Sequence, residues 1–353
     1  MKTFEQIPDI YRLSSYDYEL PEEYIAQYPV EPRDSSRLLV TDRDGKLEER
    51  KFHDIVEQFI PGDLLVLNDT KVFPARLYGK KTTGAKIEFL LLVNISGSKW
   101  EVICRPGARL KSGAVVAFGE ELSAEIIKVL DTGSRIVKFN LAGQKFWDEL
   151  EKVGHIPLPM YIDRNDIDYD RHRYQTVYAR NRGAVAAPTA GMHFTNKLLA
   201  EIENKGVKIA FITLNVGWGT FKPIEVEDIR RHHMHREFFI ISDKTADLLN
   251  DAIMNDTRVI AVGTTTVRAL EYAAQKMPIQ HQSEWTDIYI YPGFKFKIVD
   301  CMITNLHLPK SSLLVMVSAF AGGSAIEKSY RYAIDNSFRF YSYGDAMFLK
   351  RKK

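Results

Sequence analysis

The stretch Arg258-Val-Ile-Ala-Val-Gly-Thr-Thr-Thr-Val-Arg-Ala-Leu-Glu271 changes period partway along. Its first half is a short, continuous apolar run, the pattern of a strand buried on both faces over 258–263. Gly263 breaks the run, and from Val267 to Lys276 the apolar residues recur at helical spacing. Strand, glycine turn and helix together form the half-unit of an α/β domain, so the fold is read outward from here.

Downstream and upstream, the same alternation continues. Val207–Leu214 reads as a strand, and Ser242 as the N-cap of a helix running to Met254. Asp287–Tyr291 reads as a strand, and Leu313–Phe320 is apolar enough for a buried one. Ser324 with Glu327 has the spacing of a capping box for a final helix. Near the N-terminus, 19–29 and 52–60 read as short helices, each closed by a proline. Between 63 and 141 the rhythm differs. DLLVLND, KVFPARLYG, AKIEFLLLV, KWEVICR, AVVAFG, SAEIIKVL and RIVKFNL follow at roughly ten-residue spacing, as in a small antiparallel barrel or sandwich. Thr83-Gly84, Ser96-Gly97 and Thr132-Gly133 read as its hairpin turns. The expected fold is therefore a large mixed α/β domain, residues 1–65 plus 155–353, interrupted by an all-β, antiparallel, six-stranded barrel-like domain over 66–154.

Composition narrows the class. With 353 residues, 45% hydrophobic and 27% charged, the chain has the make-up of a globular protein with a full core. A net charge of +2 does not by itself argue for nucleic acid, although residues 286–353 hold ten Lys/Arg against five acids. Two cysteines, Cys104 and Cys301, are too few for a disulfide framework or a thiolate zinc site and suit a reducing compartment. MKTFEQIPDI has no signal-peptide core, and no uncharged apolar run approaches the roughly 20 residues of a membrane span. A cytoplasmic protein without a membrane partner is expected.

In α/β domains ligands gather where strand ends turn into helices, and several such places stand out. In 258–271 the hydroxyls and turn amides of Gly263, Thr264 and Thr265 suit phosphate, carboxylate or ribose oxygens, though threonine helix capping reads equally well. The chain has neither a P-loop nor a G-x-G-x-x-G fingerprint. Gly183-Ala-Val-Ala-Ala-Pro-Thr-Ala-Gly-Met-His-Phe-Thr195 is too small-sided to fill a core. Thr195 or Asn196 can cap the next helix, with Gly206 as its stop, so Pro188, Thr189, Gly191 and His193 lead into a helix N-terminus that favours an anion. A packed loop with a fixed histidine is the alternative. Gly217, Trp218 and Gly219 form a glycine-bracketed aromatic turn. His233, His235 and Glu237 would share one face of a strand, yet without cysteines beside them or an H-E-x-x-H helix no metal is expected. Tyr289, Tyr291, Lys295 and Lys297 alternate aromatic and basic residues, as in grips on single-stranded nucleic acid, and equally as in a solvated edge strand.

Read in order, longer words carry more than their pattern. They are YPVEPRDSSRLL (28–39), LNDTKV (67–72) with PARL (74–77), HIPLP (155–159), YQTVY (174–178), GAVAAPTAGMHFT, VGTT (262–265), TNLHLPKS (304–311), SAFAG (318–322) and YGDAM (343–347). The chain resembles the S-adenosylmethionine:tRNA ribosyltransferase-isomerases of queuosine biosynthesis over nearly its whole length. The resemblance implies a large α/β domain with an inserted β-barrel. It also implies transfer and isomerisation of the ribosyl group of S-adenosylmethionine onto 7-aminomethyl-7-deazaguanine at the wobble position of a tRNA with a GUN-type anticodon. Epoxyqueuosine-tRNA, adenine and methionine would be the products. S-Adenosylmethionine would be a consumed substrate, with no cofactor, in a monomeric enzyme.

Such chemistry must take a proton from the ribose carbon beside the sulfonium, help adenine leave and exclude water. His193, Glu237 and His307 are candidate acids or bases, in that order, and Asp287 a partner for the sulfonium or the acceptor amine. Gly263–Thr266 and the helix after Thr195 are candidates for the methionine carboxylate or a tRNA phosphate. Arg33, Lys71, Arg76, Lys295, Lys297 and Lys310 are candidates for tRNA contact. The chain departs from the family pattern at Asn215, where Leu-His-Val-Gly is usual, at Arg236 and at Met160. Asn215 shifts weight onto His193, His235 and His307. The rivals are a tRNA-binding protein that keeps the fold without catalysis, and a methyltransferase, which would need an absent Gly-rich loop.

Overall fold

The computed structural model describes residues 7–42, 44–108, 110–217 and 223–351. In chain order the strands are β1 Arg37–Thr41, β2 Leu47–Lys51, β3 Leu64–Asn68, β4 Thr70–Val72, β5 Arg76–Lys81, β6 Lys86–Ser96, β7 Lys99–Arg105, β8 Val115–Phe118, β9 Leu122–Val129, β10 Arg135–Phe139, β11 Asn181–Ala184, β12 Lys208–Leu214, β13 Glu237–Ile241, β14 Val259–Val262, β15 Gln282–Thr286, β16 Cys301–Asn305 and β17 Ala346–Lys350. The α-helices are α1 Gly143–Val153, α2 Asp168–Arg173, α3 Asn196–Asn204, α4 Asp243–Met254, α5 Thr264–Ala273, α6 Ser312–Ala321 and α7 Gly323–Asp335.

Two sheets organise the chain. A nine-stranded mixed sheet runs β15-β13-β12-β3-β14-β16-β17-β1-β2. At its centre β12, β3, β14 and β16 are mutually parallel. β3 and β14 are buried at every position because helices and loops cover both faces, as their unbroken apolar runs require. The second sheet closes on itself as a six-stranded antiparallel barrel, β10-β7-β6-β5-β8-β9. Its strands alternate: in β7, Trp100, Val102 and Cys104 point inward while their neighbours face out. Helix α1 plugs the barrel with Phe146 and Leu150, the ring of Phe146 lying 4.9 Å from that of Phe139. Glycines at Thr83-Gly84, Ser96-Gly97 and Thr132-Gly133 turn the chain with positive φ, as expected of hairpin tips.

The local caps follow the sequence. Thr195 Oγ1 accepts from the Leu198 N–H at the start of α3, and Ser242 Oγ from the Thr245 N–H at the start of α4. Several readings change, among them 19–29, which forms only a single 3-10 turn over Glu22–Tyr24. Leu64–Asn68, counted among the barrel runs, is a central strand of the large sheet, and its unbroken burial distinguishes it from the alternating barrel strands. Leu313–Phe320 is helix α6, not a strand; it is buried nearly all round, so no polar face marks the helical period. The edge strand is 282–286 rather than 287–291; as an outer strand it carries mostly exposed polar residues and little apolar signal. Helix α7 begins one residue before Ser324, with Gly322 at φ 92° as N-cap and no side-chain cap.

Candidate functional site

The carboxyl ends of three of the four parallel strands, β12, β14 and β16, open into one cavity. After β14 come Gly263, Thr264 and Thr265; after β16, Leu306 and His307; after β12, Val216. The loop 187–190 and the pair Tyr341–Ser342 close the other sides. Placement at strand ends beside crossover helices is where open α/β sheets bind ligands. The cavity volume is about 60 Å³. That is well short of the roughly 300–1,000 Å³ of pockets enclosing whole ligands, so the described residues build the floor of a site.

The floor is uncharged, with hydroxyl and amide groups set among apolar side chains. Among the described residues lining it there is no Asp, Glu, Lys or Arg; Thr189, Thr264, Thr265, Thr304, Asn305, His307 and Ser311 supply the polar atoms. Thr266 Oγ1 donates to the Val262 carbonyl at 2.6 Å, stitching α5 to β14. Thr265 Oγ1 is buried and has no partner.

Two histidines are engaged there differently. His307 lines the cavity, with Nε2 2.7 Å from Thr304 Oγ1 and its backbone N–H donating to Tyr330 Oη at 2.8 Å. Burial holds its imidazole down to about pKa 3. His193 lies behind the wall. Asn305 Nδ2 donates to its Nε2 at 3.1 Å, so Nδ1 carries the proton and donates to Ser36 Oγ at 2.8 Å. Asn305 Oδ1 in turn accepts from Thr189 Oγ1 at 2.8 Å. The chain Ser36–His193–Asn305–Thr189 thus runs from the core to the cavity wall. Burial first, then the charges of Arg173, Arg33 and Arg339, hold His193 down to about 3. The residue that sequence reasoning missed is Asn305; its place two residues before His307, at the end of an apolar strand, was the available signal.

The small residues between 183 and 195 have a packing cause as well. A Cβ on Gly191 would stand 2.0 Å from Tyr178 Oη and 2.9 Å from Thr176 Cγ2. Gly191→Ala is therefore expected to lower stability by about 1–3 kcal/mol, read as a lower thermal midpoint; an unchanged midpoint would remove this account. Asn215 accepts from Thr70 Oγ1 at 2.9 Å and packs against Gly183, where a Cβ would meet its side chain at 2.5 Å. Next to it, the buried Asp69 carboxylate accepts from Thr213 Oγ1 at 2.6 Å and from Asn181 Nδ2 at 3.2 Å.

Other candidates sit elsewhere. Both Glu237 oxygens are engaged, Oε2 by the buried Arg268 guanidinium and Oε1 by the Gly217 N–H at 3.2 Å. Strand β13 begins only at Glu237, so His233 and His235 belong to the preceding loop, His235 exposed and its carbonyl accepting from Arg268. Asp287 is exposed on the loop after β15. Tyr289 and Tyr291 form a separate aromatic cluster with Tyr11 and His232. Trp218 and Gly219 lie outside the described residues. Of the basic candidates, Arg33 donates to the carbonyls of Gln175, Met192 and His172, Arg76 pairs with Glu88, and Lys310 pairs with Asp17 at 2.6 Å. Lys71 is half-buried, and Lys295 and Lys297 are exposed.

Comparison with known proteins covers the whole arrangement. A family model described as "Queuosine biosynthesis protein" matches residues 13–349. A relative from Acetivibrio thermocellus, named S-adenosylmethionine:tRNA ribosyltransferase-isomerase, is 51% identical over 343 residues, covering 96% of this chain and all of its own. A crystal structure of S-adenosylmethionine tRNA ribosyltransferase from Thermotoga maritima is similar at a TM-score of 0.54 and 36% identity, covering 95% of this chain and 99% of that one.

Proposed function

The chain belongs to the queuosine biosynthesis protein family, and from that premise we propose that it transfers the ribosyl group of S-adenosylmethionine to tRNA and isomerises it. The acceptor is 7-aminomethyl-7-deazaguanine at the wobble position of a GUN-type anticodon, and the products are epoxyqueuosine-tRNA, adenine and methionine. S-Adenosylmethionine is consumed and no further cofactor takes part; the enzyme works as a monomer in the cytoplasm. No helix among the described residues is long and apolar enough to cross a membrane.

The observation that carries this reading is the uncharged, hydroxyl-rich floor at the ends of the parallel strands. The reaction passes through a carbanion next to the positive sulfur, and a site that keeps water out protects that species from reprotonation. Among the histidines proposed for proton transfer, His307 has its ring at the cavity, within reach of a bound ligand. His193 acts through Asn305, fixing the amide and Thr189 that face the ligand. Lys295 is exposed for tRNA phosphates, a contribution that would fall with salt, whereas the Lys297 ammonium donates to the Ala274 carbonyl at 3.1 Å.

The test is to mix the protein with S-adenosylmethionine and a tRNA carrying the aminomethyl-deazaguanine base, then chromatograph the small molecules. Adenine and methionine are expected in equal amounts. Retained tRNA binding without adenine would point to a binding protein, and S-adenosylhomocysteine to a methyltransferase.

A further inference from the structure

We propose that the floor of this cavity is the seat of the α-carboxylate of S-adenosylmethionine, with Thr265 as the side chain that recognises it; this rests on the ribosyl-transfer reading above. Two helices of ten residues each, α5 and α6, begin at the same cavity, Thr264 and Thr265 lying in the first turn of one and Ser311 capping the other. Each N-terminus presents free N–H groups and the positive end of a helix dipole. At α5 the cap is Gly263, which has no side chain to satisfy those donors.

An independent observation points the same way. Thr265 Oγ1 is a buried hydroxyl without a partner, on a residue only 7% exposed that lines the cavity. A buried polar atom left unpaired is costly, and a ligand oxygen accepting from it removes that cost. No acidic side chain among the described lining residues competes for the donors, and no cation is there to demand a phosphate.

Shape separates a carboxylate from a tRNA phosphate. A cavity of about 60 Å³ at the foot of the site admits the end of a molecule. A phosphodiester continues into chain on both sides and needs an open groove, whereas the carboxylate ends the methionine arm. The ribose and adenine then extend outward, towards His307 and the mouth.

Decarboxylated S-adenosylmethionine, which keeps the sulfonium and loses only the carboxylate, is the probe. Calorimetry on the intact protein should show it binding at least about tenfold more weakly than S-adenosylmethionine, the range for a hydrogen bond to a charged group. Thr265→Val, similar in volume, should weaken S-adenosylmethionine about tenfold and leave the decarboxylated probe and the KM for tRNA unchanged. Thr265→Ser, which keeps the hydroxyl, should retain the preference for the carboxylate even if the valine variant folds poorly. Equal binding of the two ligands by the unsubstituted protein would overturn the assignment, as would loss of the preference in Thr265→Ser. A raised KM for tRNA with altered salt dependence in Thr265→Val would instead mark a phosphate seat. Adenine release by the unsubstituted protein is measured alongside, so the carboxylate assignment can fail while the reaction stands.

Discussion

Lowering the pH from 7 to 5 is expected to cost about 4 kcal/mol of folding stability through His193 and His307 alone. Both imidazoles are held down to about pKa 3 in the folded chain, chiefly by burial, against 6.5 when unfolded. Below pH 6.5 the unfolded chain takes up these protons and the folded chain does not, so stability falls as pH falls, down to about pH 3. At pH 5 each ring is about 1.5 pH units inside that window, worth roughly 2 kcal/mol at about 1.4 kcal/mol per unit. Glu271 and Asp345, whose carboxyls burial holds above their ordinary range, contribute with the opposite sign, so the test must isolate the imidazoles. Urea unfolding of His193→Gln and His307→Gln at both pH values does this. Each variant should lose about 2 kcal/mol less than the unsubstituted chain between pH 7 and 5, whatever it loses at pH 7. A variant with the same loss as the parent would show that its imidazole is not held neutral.

The second large effect lies in the pair Arg268–Glu237. Arg268→Met is expected to destabilise the fold by about 3–5 kcal/mol, since it strands a carboxylate in the interior. Both residues are almost fully buried, and Arg268 also donates through Nε to the Ile288 carbonyl at 3.2 Å. From α5 the guanidinium therefore holds β13 and the loop after β15, while Glu237 holds the turn at Gly217. Adding Glu237→Leu to Arg268→Met removes the stranded charge and should recover part of the loss. Equilibrium unfolding reads both; a loss under about 1 kcal/mol in the single variant would mean the carboxylate finds water or another donor.

Much of the architecture was legible because local signals agreed with long-range ones. Val259–Val262 is apolar without interruption, Gly263 adopts positive φ, and the helix read over Val267–Lys276 forms over Thr264–Ala273, so strand, turn and helix came in the right order with the helix starting about one turn earlier. Where a signal was erased, the reading slipped: α6 is apolar on every side, and the edge strand 282–286 is polar along most of its length. The site divides similarly. Pro188, Thr189, Gly263, Thr264, Thr265 and His307 converge on one cavity because loops at the ends of adjacent strands must meet. The commitments of Glu237 to Arg268, 31 residues away, and of Arg33 to carbonyls more than 130 residues away have no trace in local sequence. Nor has the grip of Asn305 on His193, 112 residues apart.

The barrel leaves and re-enters the large domain at one point: the Arg76 N–H donates to the His155 carbonyl at 3.1 Å, and the His155 N–H to the Arg76 carbonyl at 2.8 Å. The two ends of the insert are thus neighbours, like the stems of a hairpin. An unfolded detour of about 80 residues would have to be closed before β3 could meet β12 and β14. A barrel already folded shortens the loop from Asn68 to Lys208 from about 140 residues to about 60, a little over one halving, or roughly 0.7 kcal/mol of chain entropy. To the rest of the polypeptide, the finished barrel is topologically no longer than a tight turn.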